Sequence, residues 1–350
     1  MSNFDLTFEE VVSLIKANGT NVTYMVQGRP GIGKTAVGKA VAAALDYPFA
    51  YIDMANMSLG DAGLPVANKE RKCAEYFPNE IFNLHLGVPV VIMLDEWTKA
   101  GKEAKNMTLP MCLERRLGNL KFHPDTIVFA TGNLSSDGVG DSIQAHQLDR
   151  FIAIEQRGPT GEEWINNYAV HNNIEPTIMA FVDQFPQVMQ SYKDDSANEN
   201  KYIFNPRKMQ AGFVTPRSLG YASDIIKTKA AVSGNALHAS LAGAIGQSAA
   251  ADLVAFVNMN EELPPFASIV ADPLKTALPK EPVNQLLLTF NLIMKCEKGS
   301  LPAVLKYIGR MPNEFQGLFC SKVLSMPSKS VWAAHVKDMV ETVKRIHHVF

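Results

Sequence analysis

Residues Gly28-Arg29-Pro30-Gly31-Ile32-Gly33-Lys34-Thr35 follow the spacing GxxxxGK[ST] between an apolar run and an amphipathic one. Glycines at these positions let the backbone wrap closely around phosphate oxygens, with its N–H groups and the start of the next helix favouring anions. Lys34 then reaches the β- and γ-phosphates, and the Thr35 hydroxyl is placed to hold Mg²⁺. Gly28, Pro30, Gly31, Ile32, Gly33, Lys34, Thr35 and Ala36 are therefore the expected nucleotide-binding residues.

Further along, Val90-Val91-Ile92-Met93-Leu94 runs straight into Asp95-Glu96. A strand buried on both faces and ending in two carboxylates sets them at the carboxyl edge of a parallel sheet, where open α/β folds bind ligands. Asp95 is expected to share the Mg²⁺ shell with Thr35. Glu96 is expected to polarise the attacking water, because phosphoryl transfer needs a positioned nucleophile and compensated charge more than covalent chemistry. A third apolar run, Thr126-Ile127-Val128-Phe129-Ala130-Thr131, ends at Gly132-Asn133. If it lies between the other two strands, the Asn133 amide faces the γ-phosphate and the water.

These residues require a scaffold of short β-rich runs alternating with amphipathic helices. Strands are expected over 22–27, 49–53, 88–94, 126–131 and 151–155, with a helix over 34–44 whose Val37, Val41 and Leu45 share one face. The pattern is that of an α/β domain with a mainly parallel sheet. After about residue 158 the strand signal gives way to helical runs over 161–171, 176–185, 216–232 and 236–258. The polar stretch 191–206 reads as an exposed loop, and prolines crowd 261–282. The expected division is a nucleotide-binding domain over 1–157, a helical lid over 158–260, and a proline-rich linker with a C-terminal helical region over 261–350.

The ordered set GRPGIGKT, VVIMLDE, ATGN, LDRF and VTPRS resembles an AAA+ ATPase of the MoxR-like branch, across about residues 8 to 260. Stretches Asp61-Ala62-Gly63-Leu64-Pro65-Val66 and Leu113-Glu114-Arg115-Arg116-Leu117-Gly118 fall where that branch has similar text. The resemblance implies a P-loop sheet in the order 5-1-4-3-2, followed by a helical lid. It also implies a homo-oligomeric ring, usually hexameric, with ATP and Mg²⁺ at each interface. Arg150 then matches the arginine finger that reaches a neighbour's γ-phosphate, and Arg217 matches the lid arginine called sensor 2. Arg115 and Arg116 become interface candidates, with a solvated helix end as the alternative. The loop 56–63 corresponds to one that often faces the central pore. It lacks the aromatic residue of protein-threading members, leaving Met57 or Leu59 to grip. The charged stretch 68–72 is either the tip of the branch's inserted element or a solvated turn. A partner with a von Willebrand A domain is implied on the same basis.

Composition narrows the remaining classes. The chain has 350 residues, 47% hydrophobic and 19% charged, enough to fill a core. Its net charge of -2 gives no support to a protein that binds by neutralising many phosphates, so nucleic acid is not expected as a partner. No apolar stretch approaches the ~20 residues that span a bilayer, so no membrane contact is expected. The acidic start MSNFDLTFEE does not read as a secretory signal, and the four scattered cysteines read as reduced thiols. A cytoplasmic location is expected. No HExxH or GxSxG occurs, His347-His348 reads as surface, and Asn133-Leu134-Ser135-Ser136 does not fit a guanine-reading NKxD, so ATP is the expected nucleotide. With the resemblance, which implies partner remodelling, the leading function is ATP hydrolysis that remodels or activates a partner protein. The rivals are a nucleic-acid motor or helicase loader on the same core, and a nucleotide-gated scaffold with little turnover.

Overall fold

The computed structural model describes residues 5–134, 149–194, 199–206 and 210–346, which fall into two compact units, Met1–Gly158 and Pro159–Phe350. In the first unit, β1 (Asp5–Leu6), β2 (Tyr24–Gln27), β3 (Phe49–Asp53), β6 (Val91–Asp95), β9 (Ile127–Gly132) and β10 (Ile152–Gln156) form one parallel sheet. Their order is β1-β10-β2-β9-β6-β3. For the five strands marked by the sequence this is 5-1-4-3-2, as expected, in a P-loop AAA+ α/β fold. The edge strand β1 is two residues long and carries no periodicity from which it could be read.

Every residue of β6 and β9 is buried, which is why both appear in the sequence as unbroken apolar runs. One face of the sheet packs on α1 (Phe8–Asn18) and α2 (Lys34–Leu45), with Val11, Ile15, Val37 and Val41 against Val26, Met93 and Phe129. The other face packs Met25, Ile92, Leu94 and Ala130 against Trp97 and residues of α4 (Lys102–Leu113), including Leu109 and Met111. The strand expected over 49–53 is observed with those limits, and the limits of the other four differ by up to three residues, because the apolar signal includes the turns that lead into them.

Between α3 (Leu59–Ala62) and β6, the chain forms an antiparallel hairpin of β4 (Gly63–Asn68) and β5 (Cys73–Pro78), with the charged residues 69–72 at its tip. Leu64, Val66 and Phe77 of this hairpin are exposed, so neither strand shows the in-out alternation by which a half-buried strand is recognised.

The second unit is helical. The expected run 216–232 ends its α-helix at Lys227, and 236–258 divides at Gly246 into Gly234–Ile245 and Gln247–Glu261. The proline-rich stretch contains the short helix Phe266–Ala271, whose Ile269 is buried in the same cluster as Trp164, Leu253, Phe290 and Ile346. Helices on either side of the prolines thus share one core. Among the described residues no helix is long and apolar enough to cross a membrane, and the four cysteines are free thiols.

Arg115, one of the two interface candidates, is not a solvated helix end. Just after α4, with φ 50, it donates to the carbonyls of Gly19 at 3.1 Å, Thr20 at 3.2 Å and Cys112 at 2.8 Å, and to the Thr23 hydroxyl at 2.7 Å. Its donors tie the α1–β2 turn to the end of α4. Arg116 instead makes a half-exposed pair with Glu114 at 2.5 Å. Hydrogen bonds to a charged group contribute about 1.5–3 kcal/mol, so Arg115→Ala is expected to cost about 2 kcal/mol. The measurement is the urea midpoint, which should fall while the slope is unchanged.

Candidate active site

The loop from β2 into α2 depends on two glycines for different reasons. A Cβ on Gly28 would lie 2.7 Å from the Gln156 carbonyl oxygen and 2.6 Å from Ile32 Cδ1, so no side chain fits. Gly33 has φ 103, in the left-handed region that other residues rarely enter, and caps α2 without a side-chain bond. The loop backbone and the helix start therefore converge on one place, the carboxyl edge of the sheet. There the Lys34 ammonium donates to the carbonyls of Gly28 at 2.6 Å and Arg29 at 2.9 Å, and to Asn133 Oδ1 at 3.0 Å. Asn133 is only 6% exposed, so its amide is a fixed feature of the site.

Asp95 ends β6 and is 8% exposed. Hydroxyl groups surround its carboxylate. Thr131, on β9, donates to Oδ1 through a very short bond. Tyr51, on β3, donates to Oδ2 at 2.9 Å, and the Thr35 hydroxyl lies 3.5 Å from that same oxygen. Glu96 follows in a left-handed conformation, φ 51, with its backbone N–H donating to Thr131 Oγ1 at 3.2 Å. Thr131 thereby links the two acids. The Glu96 carboxylate accepts from Lys99 Nζ at 2.8 Å. Both partners are partly exposed, and such pairs are worth at most about 1 kcal/mol, so Lys99 restrains Glu96 only weakly.

The donor set suits Mg²⁺. Thr35 and Asp95 offer hard oxygen ligands close together, and magnesium takes few protein ligands and keeps much of its water. Among the described residues no group of three or more His, Cys, Asp or Glu is arranged to hold a metal by itself.

The structure thus assembles Gly28, Lys34, Thr35, Asp95, Glu96 and Asn133 at one edge. It does not bring Arg150 there. Arg150 precedes β10, whose Ile152 pairs with Tyr24 at the start of β2, so it lies at the amino edge of the sheet. The length of β2, about 10 Å, separates the two edges. Phe151 anchors this turn edge-on against Trp97, with ring centroids 4.8 Å apart. Gln147 and Leu148 of the same motif lie outside the described residues, as do Ser135, Ser136, His347 and His348. Arg217 belongs to the second unit. It is exposed in the first turn of Pro216–Lys227, a helix capped by Thr215 with a Ser218 N–H bond of 3.0 Å. Of the two gripping candidates, Met57 packs partly against the first unit's core.

Residues 24–156 match the family model of ATPases associated with various cellular activities, AAA. The match covers the whole sheet from β2 to β10 and every site residue of the first unit. Solved structures also align over most of the chain. A candidate ATPase from Cytophaga hutchinsonii is 13% identical over 96% of this chain and 88% of that one, with a TM-score of 0.35. The RuvB Holliday junction branch migration motor of Thermotoga maritima is 13% identical over 85% and 86%, with a TM-score of 0.36. No curated protein matches the chain.

Tyr51 and Thr131 escaped the sequence reading although both lie inside strands it marked. The available signal was positional, since each strand borders β6 and ends near Asp95. Replacing Thr131 with Val leaves a carboxylate oxygen and the Glu96 N–H without their partner. Thr131→Val should therefore destabilise the protein by about 1–3 kcal/mol, and Thr131→Ser by much less, when unfolding midpoints in denaturant are compared.

Proposed function

We propose that this chain is a MoxR-like AAA+ ATPase that hydrolyses ATP at the interfaces of a homo-hexameric ring and uses the cycle to remodel a partner protein. The observation that carries the ATPase reading is the meeting of Lys34, Asn133, Thr35, Asp95 and Glu96 at one sheet edge beside the P-loop. The MoxR-like ring, and a partner bearing a von Willebrand A domain, rest on the resemblance of the ordered motifs.

In this reading the loop N–H groups and Lys34 hold the β- and γ-phosphates. Thr35 and Asp95 hold Mg²⁺, which supplies charge compensation for the phosphate oxygens when bound. Glu96 orients the attacking water and accepts its proton, assisted by the Asn133 amide. Arg150 of one subunit meets the γ-phosphate bound by its neighbour, and Arg217 contributes a second positive charge from the lid.

Two variants separate binding from chemistry. Lys34→Ala should lower ATP affinity by tenfold or more, about 1.4 kcal/mol, in a calorimetric titration of the folded protein. Glu96→Gln should keep ATP affinity and lower turnover by roughly 10²-fold, since it removes the proton acceptor and leaves the phosphate contacts. Hydrolysis near the wild-type rate in Glu96→Gln would show that another base acts.

The ring is tested by mixing two inactive proteins, Arg150→Ala and Lys34→Ala. Some interfaces then combine an intact P-loop with an intact Arg150, so part of the turnover should return once subunit exchange is verified by fluorescence transfer. Exchange without recovery would remove Arg150 from the neighbour's site, and an active monomer would refute the ring.

A further inference from the structure

We infer that Tyr51 is a positioning residue for Mg²⁺, holding the Asp95 carboxylate in the orientation that the metal requires; this rests on the nucleotide reading above. Asp95 Oδ1 is held by Thr131, one strand away on β9. A carboxylate bonded through one oxygen still pivots about its broad terminal torsion. The second oxygen fixes the plane, and its close donor is Tyr51 at 2.9 Å from β3, the strand on the opposite side of β6. Thr35 lies 3.5 Å from Oδ2, too long for a strong hydroxyl bond. The carboxylate is thus clamped between its two neighbouring strands and turned toward the start of α2.

The chemistry of the phenol fits this task. A phenol carries its proton at neutral pH, so Tyr51 is a donor to Asp95. As a rigid donor it restricts Asp95 and adds no competing metal ligand while protonated. Tyr51 itself is 46% exposed, far too open for a large aromatic side chain placed only to fill a core. Groups that orient a metal-binding side chain commonly change metal affinity by 10- to 100-fold when removed.

The test is Tyr51→Phe, which keeps the ring and deletes the hydroxyl. ATP binding is titrated calorimetrically in EDTA and across a Mg²⁺ series, with the thermal midpoint of the nucleotide-free protein as a folding control. ATP affinity in EDTA should remain within about twofold of wild type, while the Mg²⁺ concentration giving half-maximal enhancement of ATP binding should rise by about tenfold. A merely structural loss would weaken binding equally with and without Mg²⁺, and that result overturns the inference. An unchanged Mg²⁺ midpoint in the variant also overturns it while leaving the nucleotide reading intact. If wild type itself binds ATP equally with and without Mg²⁺, the metal assignment of Asp95 fails, and the inference fails with it. A wild-type protein that binds no ATP refutes the underlying reading as well.

Discussion

A nearly buried carboxylate at the end of a fully buried strand sets the terms for the rest of the first unit. Removing an ionised group from water is costly unless other donors replace that water. Here the replacement comes from hydroxyls on different elements, Thr131 on β9 and Tyr51 on β3, with Thr35 of α2 close by. This solution exists only because β6 lies between β9 and β3. The order of the strands is therefore part of the chemistry. A sheet with β6 at its edge would lack one of the two side donors and would expose Asp95 to bulk water.

The same edge carries the opposite problem in Lys34. Its ammonium donates to two loop carbonyls and the Asn133 amide, which are neutral acceptors. An anion brings full charge to that position, and charge-assisted hydrogen bonds are roughly twice as strong as neutral ones. Gly28 contributes by close approach. With the Gln156 carbonyl oxygen 2.7 Å from where its Cβ would sit, the loop is seated directly on the end of β10.

How much of this could be read from the sequence follows from where each signal resides. Asp95, Glu96 and Asn133 announce themselves because a run of buried residues stops at a polar one, and that contrast is local in the chain. The order 5-1-4-3-2 was legible through the resemblance of the ordered motifs, since periodicity alone does not rank parallel strands. Tyr51 was illegible for a related reason. In FAYID it looks like an ordinary strand residue, and its partner Asp95 is 44 positions away. The bonds that hold Arg115 were illegible on similar grounds, because the carbonyls of Gly19 and Thr20 are distant in sequence and carry no side-chain signal. The charged tip near 68–72 was read as one of two alternatives, but strands β4 and β5 were missed through exposure, as Leu64, Val66 and Phe77 lack the buried face that gives a strand its period of two.

The sheet also constrains what Arg150 can do. Parallel strands have a carboxyl edge and an amino edge, and the P-loop occupies one while Arg150 precedes β10 at the other. Over about 10 Å at an effective dielectric of 20, two unit charges interact by about 1.7 kcal/mol before screening, and the Debye length at physiological salt is only about 8 Å. That is a weak, diffuse influence. A guanidinium in direct contact with a departing phosphoryl group acts at a third of the distance in a dry site, where pre-placed charge is worth several times more. If Arg150 contributes to hydrolysis, the effective geometry is contact with phosphates held by another copy of the chain, and the cost of placing it at the amino edge is that a lone subunit lacks part of its own active site.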